Sequence, residues 1–268
     1  MADTVADWVA LVHDRYPPEH AADWDSVGLQ VGDPRWPVEH VLVTLDVTTA
    51  VVAEATSLAP VLILAHHPLL FRPLARLTPA TAAGKVALAA ARGGIAVLAA
   101  HTNLDVTRDG AGTSEPIMRT LGVTSAEPLE PLASAAEVGF GLVSDLPEPL
   151  TLRDLATRIR DRLPAPHLRY AGEPDRRVRR VAAVGGAGES LIPAASAAGA
   201  DVLVTGDLRH HAVLDALELG LALVDAGHHA TEAAALQAWI ERLRAASAAR
   251  GLVADLLASQ ISTAPWSS

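Results

Sequence analysis

The chain has no cysteine in 268 residues. That excludes disulfides, thiolate zinc sites, iron–sulfur clusters and thiol nucleophiles. It also fits a reducing compartment. Lysine is nearly absent, with Lys85 the only one among 21 basic residues, and the formal net charge is −10. A nucleic-acid groove needs basic surface that releases counterions, so this balance argues against one. The one basic run, Arg176-Arg177 with Arg179-Arg180, reads as a solvated strand edge. No apolar stretch approaches the roughly 20 residues needed to span a bilayer. The opening MADTVADWVALVHDRYPPEH lacks both a basic start and a continuous apolar segment, so it does not read as a signal peptide. A soluble, cytoplasmic protein is expected, with no membrane partner. Aromatics make up 3% of the chain while half of it is hydrophobic, chiefly Ala, Val and Leu. That composition suits helices packed on aliphatic sheets.

What is present is histidine, placed unevenly. Seven of the 11 histidines fall at His66-His67, His101, His210-His211 and His228-His229. Each group follows a short apolar run that reads as a buried strand: APVLILA, GIAVLAA, ADVLVTG and LALVDAG. The carboxyl ends of parallel strands are where open α/β sheets bind ligands. Carboxylates accompany the histidines, Asp105 four residues after His101 and Glu232 four after His228. Imidazole plus carboxylate, without thiol, is the donor set of a catalytic or dinuclear metal centre.

Strands alternate with helical stretches, which predicts an α/β fold with largely parallel pairing. Helices are expected near Thr4–Tyr16, Thr49–Ser57, Leu152–Arg162 and Glu232–Arg250, with a strand near His40–Asp46. The Pro-, Ala- and Glu-rich stretch at 127–149 reads as a seam between two halves, residues 1–128 and 129–268. The final helix is free to pack back on the first half, and STAPWSS reads as a frayed tail. The halves resemble a degenerate repeat. HVLVTLD, APVLILAHH and GGIAVLAAHTNLD in the first correspond to RRVAAVGG, GADVLVTGD and GLALVDAGHHATE in the second. The offset is 140 residues for the first two segments and 127 for the last. Both halves carry His-x-x-x-carboxylate after a strand, a natural way to build a two-metal site between them.

His66 and His67 precede Pro68, where a turn lets both imidazoles converge instead of pointing to opposite faces of a strand. The i, i+4 spacing of His228 and Glu232 puts both on one helix face, which leaves His229 a lesser role. Asp105 is expected in a loop, where a lone Asp is commonly a turn residue; among these histidines metal ligation is the better reading. His101 remains open between ligand, orienting group and substrate acid. GGAGES, Gly185 to Ser190, lacks both GxGxxG and the P-loop lysine, so a tight βα turn fits it better than a phosphate cradle. No GxSxG signature is present.

Five segments together resemble the Nif-three-like dinuclear metal-centre family, also called GTP cyclohydrolase I type 2 homologues: WDSVGLQVG, AHHPLLF, HTNLD, TGDLRHHAVLDA and DAGHHATE. They occur in family order across most of the chain. The resemblance implies two intertwined α/β halves with the metal site between them and a toroidal homohexamer. It implies ligation by His66, His67, Asp105, His228 and Glu232, the last bridging two ions. The family usually has Asn where this chain has Ser26, and the inserted domain of longer relatives has no room here.

The expected activity is metal-dependent hydrolysis of a C–N or phosphoester bond in a nucleotide-like substrate. Two divalent ions per chain, about 3.5–4 Å apart, would activate a shared water. Zinc, manganese, iron, cobalt and nickel all suit the donors. His101, His210 and His211 are the candidates for moving protons or holding substrate, with Asp207 beside them. The competing expectation is a metal-binding scaffold or regulatory interaction protein without turnover.

Overall fold

A computed structural model describes residues 2–266; Met1 and the tail residues Ser267 and Ser268 lie outside it. The described residues form two compact units. The first comprises residues up to Leu104 with Leu236–Thr263, the second Asp105–Ala235 with the residues from Ala264 onward.

The first unit contains β1 (Asp3–Thr4), α1 (Val5–Arg15), β2 (Gly28–Val31), β3 (Pro37–Val38), β4 (His40–Thr44), α2 (Thr49–Thr56), β5 (Val61–Ala65), α3 (Ala82–Arg92) and β6 (Ala96–Ala99). The chain then passes through α4 (Thr102–Asp105), so Asp105 ends a short helix and not the expected loop. The second unit continues with α5 (Glu115–Thr120), β7 (Glu127–Leu132), β8 (Ala135–Thr151), α6 (Leu152–Arg162), β9 (Arg169–Ala171), β10 (Arg177–Ala187), α7 (Ile192–Ala197), β11 (Val202–Gly206), α8 (His210–Glu218) and β12 (Ala222–Asp225). Helix α9 (His228–Arg250) starts four residues before its expected beginning at Glu232, and β13 (Asp255–Ala258) closes the first unit.

Sheet order in the first unit is β13-β4-β5-β6-β2. The pairs β13·β4, β4·β5 and β5·β6 are parallel, and β2 adds antiparallel to β6. Strand β5, VLILA, is buried at every position, as expected for a parallel strand covered on both faces. Its Ile63 packs with Leu42 and Val97 against Val51, Val52 and Ala55 of α2 and Val86 and Ala90 of α3. Helix α1 starts with a capping box, Thr4 and Asp7 each satisfying the other's backbone N–H.

The second sheet runs β7-β8-β10-β11-β12-β9, with β10·β11 and β11·β12 parallel and the rest antiparallel. Residues 127–149 form the β7–β8 hairpin inside this unit. The arginine run lies at the start of β10, an interior strand and not an edge. Two of its four side chains are paired, Arg180 with Asp145 at 2.9 Å and Arg176 with Asp201 at 3.6 Å, and Asp201 also accepts the backbone N–H groups of Arg179 and Arg180, while Arg177 and Arg179 are exposed.

The repeat seen in sequence is a repeat of topology. Elements β4-α2-β5-α3-β6 and β10-α7-β11-α8-β12 each place three successive strands side by side and parallel. The tail is held, not frayed, as far as Thr263. Glu54 accepts from Ser259 Oγ and Gln260 N, and Asp46 accepts from Thr263 Oγ1 at 2.6 Å. Among the described residues no helix is long and apolar enough to cross a membrane. Replacing the fully buried Ile63 by Ala should cost about 2–5 kcal/mol, read as a lowered urea midpoint with the far-UV spectrum retained.

Candidate metal centre

The carboxyl ends of β4, β5 and β6 deliver Asp46, His66-His67 and His101 to one edge of the first sheet. The three imidazoles converge, with ring centroids 4.8, 5.1 and 5.3 Å apart, and their donor nitrogens lie within 4.8 Å of one another. His66 is buried, and His67 and His101 are half-buried.

Each ring is fixed from behind through Nδ1. His66 Nδ1 lies 3.1 Å from the Ala100 carbonyl oxygen, His67 Nδ1 2.9 Å from Asp46 Oδ1, and His101 Nδ1 2.9 Å from Asp25 Oδ1. A carbonyl or an ionised carboxylate only accepts, so Nδ1 carries the hydrogen and the lone pair is left on Nε2. This is the arrangement by which outer carboxylates orient metal-ligating histidines.

Asp25 has no exposed side-chain surface. Its Oδ2 accepts from Thr102 N at 3.0 Å and Thr102 Oγ1 at 2.5 Å. Burial opposes its ionisation, but the hydrogen bonds from His101 and Thr102 outweigh that and hold the carboxyl well below the usual range. Ser26 donates its N–H to Asp25 Oδ1 at 2.7 Å. Gln30 ties this loop to the segment after His67, donating to Ser26 O at 2.6 Å and accepting from Leu70 N at 2.8 Å.

In the second unit the carboxyl ends of β10, β11 and β12 supply Gly186, Asp207 and His228. His228 and Glu232 share a face of the first turn of α9, with Nε2 and Oε1 3.0 Å apart. Behind them His228 Nδ1 meets Asp207 Oδ2 at 2.8 Å. Asp207 adopts φ 56°, a left-handed conformation that is uncommon outside glycine and enriched at functional positions. Glu232 is buried at 3% exposure. Gly186, at φ +69°, makes room for it: a Cβ there would stand 2.3 Å from Glu232 Oε1 and 3.5 Å from His228 Nε2. Asp105 Oδ1 accepts from Thr113 Oγ1 at 2.6 Å, and Thr113 packs on Gly185, the neighbour of Gly186.

His229 is half-buried. His210 and His211 lie at the exposed start of α8, their rings 5.1 Å apart, and join neither set. The GGAGES amides serve the fold, since Gly185 N donates to Ser114 Oγ and Gly186 N to Thr231 Oγ1.

These residues suit a divalent cation. Neutral imidazoles have their tautomer set so that Nε2 is the ligating atom, two carboxylates supply charge, and a glycine cradle leaves space around one of them.

The model of the Duf34/NIF3 (NGG1p interacting factor 3) family matches residues 4–265. The chain belongs to this family. Its NIF3 relatives include a protein of Streptomyces coelicolor named GTP cyclohydrolase 1 type 2 homolog, 42% identical over 222 residues, 81% of this chain and 77% of the relative. A protein of the same name in Clostridium acetobutylicum is 32% identical over 267 residues, 99% of either chain. Among solved structures, a Bacillus cereus protein related to NIF3 matches with a TM-score of 0.92 at 27% identity, covering 100% of both chains.

Sequence reasoning about this NIF3-family chain missed Asp25 and Asp46, and gave Asp207 only a role in moving protons or holding substrate. The available signal was position: Asp46 and Asp207 each follow the end of a strand of the repeat, and Asp25 sits in WDSVGLQVG. Asp25→Ala strands the donors of His101 and Thr102 in a dry site. It should destabilise the protein by at least about 2 kcal/mol, with Asp25→Asn intermediate, measured by urea unfolding.

Proposed function

We propose that this NIF3-family protein holds two divalent metal ions through His66, His67, Asp105, His228 and Glu232 and is a metal-dependent hydrolase of a nucleotide-like substrate, cleaving a C–N or phosphoester bond. The observation that carries the reading is the row of oxygen acceptors behind His66, His67, His101 and His228, which commits Nδ1 of each ring to the protein. Such orientation is wasted on a purely structural histidine. The names of the relatives point to nucleotide chemistry.

Divalent ions in this donor set supply Lewis acidity and make a water nucleophile available near neutral pH. The chain's own residues do the rest. Glu232 and Asp105 balance charge, and their orientation is held by Gly186 and Thr113. His101, braced at Nδ1 by Asp25, is placed to take or give a proton at Nε2. His210 and His211, exposed at the start of α8, serve in this reading as outer substrate contacts. The reading extends to a ring-shaped homohexamer in the cytoplasm. Leu214, Leu217 and Leu219 in and after α8 are exposed, surface that self-association would bury.

Elemental analysis of protein purified without chelator or nickel affinity resin should find about two ions per chain. Glu232→Gln should lose metal and hydrolysis of nucleotide and phosphoester substrates while keeping its fold. A fully active Glu232→Gln protein would sink the mechanism, and two ions without turnover on any such substrate would favour the scaffold. Gly186→Ala pushes a methyl against Glu232 and forces left-handed backbone on an L-residue. It should cost about 1–2 kcal/mol and lower metal content at least as much as His66→Ala, both read by the same analysis.

A further inference from the structure

Aromatic residues are scarce here, nine in 268, and the fold uses Trp8, Tyr16 and Trp239 in its interior. Two others are spent differently. Trp24 is 63% exposed and Phe71 44% exposed, and their ring centroids stand 5.8 Å apart at 60°. Both flank His101, with centroid distances of 6.1 Å from Trp24 and 6.4 Å from Phe71.

These are not loose surface side chains. Trp24 is bonded to Asp25, which His101 and Thr102 hold by three hydrogen bonds. Phe71 follows Leu70, whose N–H is held by Gln30, the same residue that grips Ser26. One glutamine therefore fixes the spacing of both loops. Rigid, exposed aromatic faces kept beside a histidine cluster mark a surface made for a ligand, because unpartnered apolar area in water is unfavourable.

We infer that Trp24 and Phe71 form a stacking platform that holds a planar heteroaromatic ring of an anionic ligand, of the nucleoside monophosphate class, against His101. Three features select this class. Flat π-faces bind flat rings without needing a deep pocket. The imidazole edge of His101 supplies a polar neighbour for ring nitrogens and oxygens. Arg72, exposed and next to Phe71 in sequence, offers a cation for an anionic group in a chain of net charge −10. The assignment deepens the hydrolase reading by naming what positions its substrate, and it rests on that reading for the reaction but not for the binding.

The test is titration of the metal-reconstituted protein with AMP and GMP, following tryptophan fluorescence, with ribose 5-phosphate as the ligand lacking a ring. The nucleotides should quench fluorescence saturably and ribose 5-phosphate should not. Phe71→Leu, followed by the same quenching, and Trp24→Leu, followed by calorimetry, should each weaken binding about tenfold or more. Trp24→Phe should retain most of it, with metal content and thermal midpoint unchanged in all three. Absence of saturable binding in wild type, equal binding of ribose 5-phosphate, or unchanged affinity in both leucine variants would overturn the platform. So would a change in molecular mass, without loss of nucleotide binding, in Trp24→Leu, since a second copy would then be what covers the rings. Nucleotide binding by protein that cannot be loaded with metal would leave the platform standing and defeat the hydrolase reading. Metal without nucleotide binding would do the reverse.

Discussion

A neutral imidazole carries one hydrogen and one lone pair, and everything at this site depends on which nitrogen has which. Left alone at a strand end, a histidine would sample both tautomers and several ring orientations. Here the Ala100 carbonyl, Asp46, Asp25 and Asp207 each claim Nδ1 of one ring. The decision is made by groups that are themselves anchored. Thr102 holds Asp25, and Thr263 holds Asp46. The C-terminal segment through Thr263, read from sequence as loose, thus helps set the orientation of His67.

The two units reach this result from one topology with different parts. His101 and His228 occupy corresponding places after the third strand of the repeat, and both are braced by an aspartate. Asp207 is drawn from inside the repeat, at the end of β11, whereas Asp25 comes from the loop before β2. The position equivalent to Asp207 in the first unit is His67. A position that carries an imidazole of the cluster in one copy thus carries a brace in the other, and the first copy draws the brace of His101 from elsewhere. Divergence of this kind keeps histidine and aspartate at the strand ends while changing which residue braces which.

This division explains what was legible in the sequence. Apolar runs such as VLILA and the helix signals around Thr4, Thr49 and Leu152 are local, so the alternation of elements and the strand-end histidines could be read directly. The offset between halves exposed the repeat because duplication leaves a constant spacing. Asp25 and Asp46 were hidden because an aspartate in a loop is ordinary until the fold sets it 2.9 Å behind an imidazole. The β7–β8 hairpin was hidden because proline, alanine and glutamate are poor strand formers. Pairing on β8, which is itself paired to β10, overrides that preference. The arginine run at 176–180 looked like an edge because its partners, Asp145 for Arg180 and Asp201 for Arg176, lie 20 or more residues away in sequence.

His228 brings the constraint to its sharpest form. Asp207 stands at 2.8 Å from Nδ1 and Glu232 at 3.0 Å from Nε2, both of them acceptors when ionised. A neutral ring can satisfy only one. Two lone pairs facing each other across 3 Å, beside a carboxylate at 3% exposure, would be repulsive in a place with little water to screen it. The arrangement is stable when a proton lies between Nε2 and the Glu232 carboxyl, carried by either group, or when a metal ion takes its place. A metal ion held by His228 and Glu232 would supply a charge that both can ligate, with room for further donors, which a proton does not offer. The buried Glu232, the brace from Asp207 and the glycine cut away at 186 are three separate costs to folding, and the cation proposed for this site would offset all three.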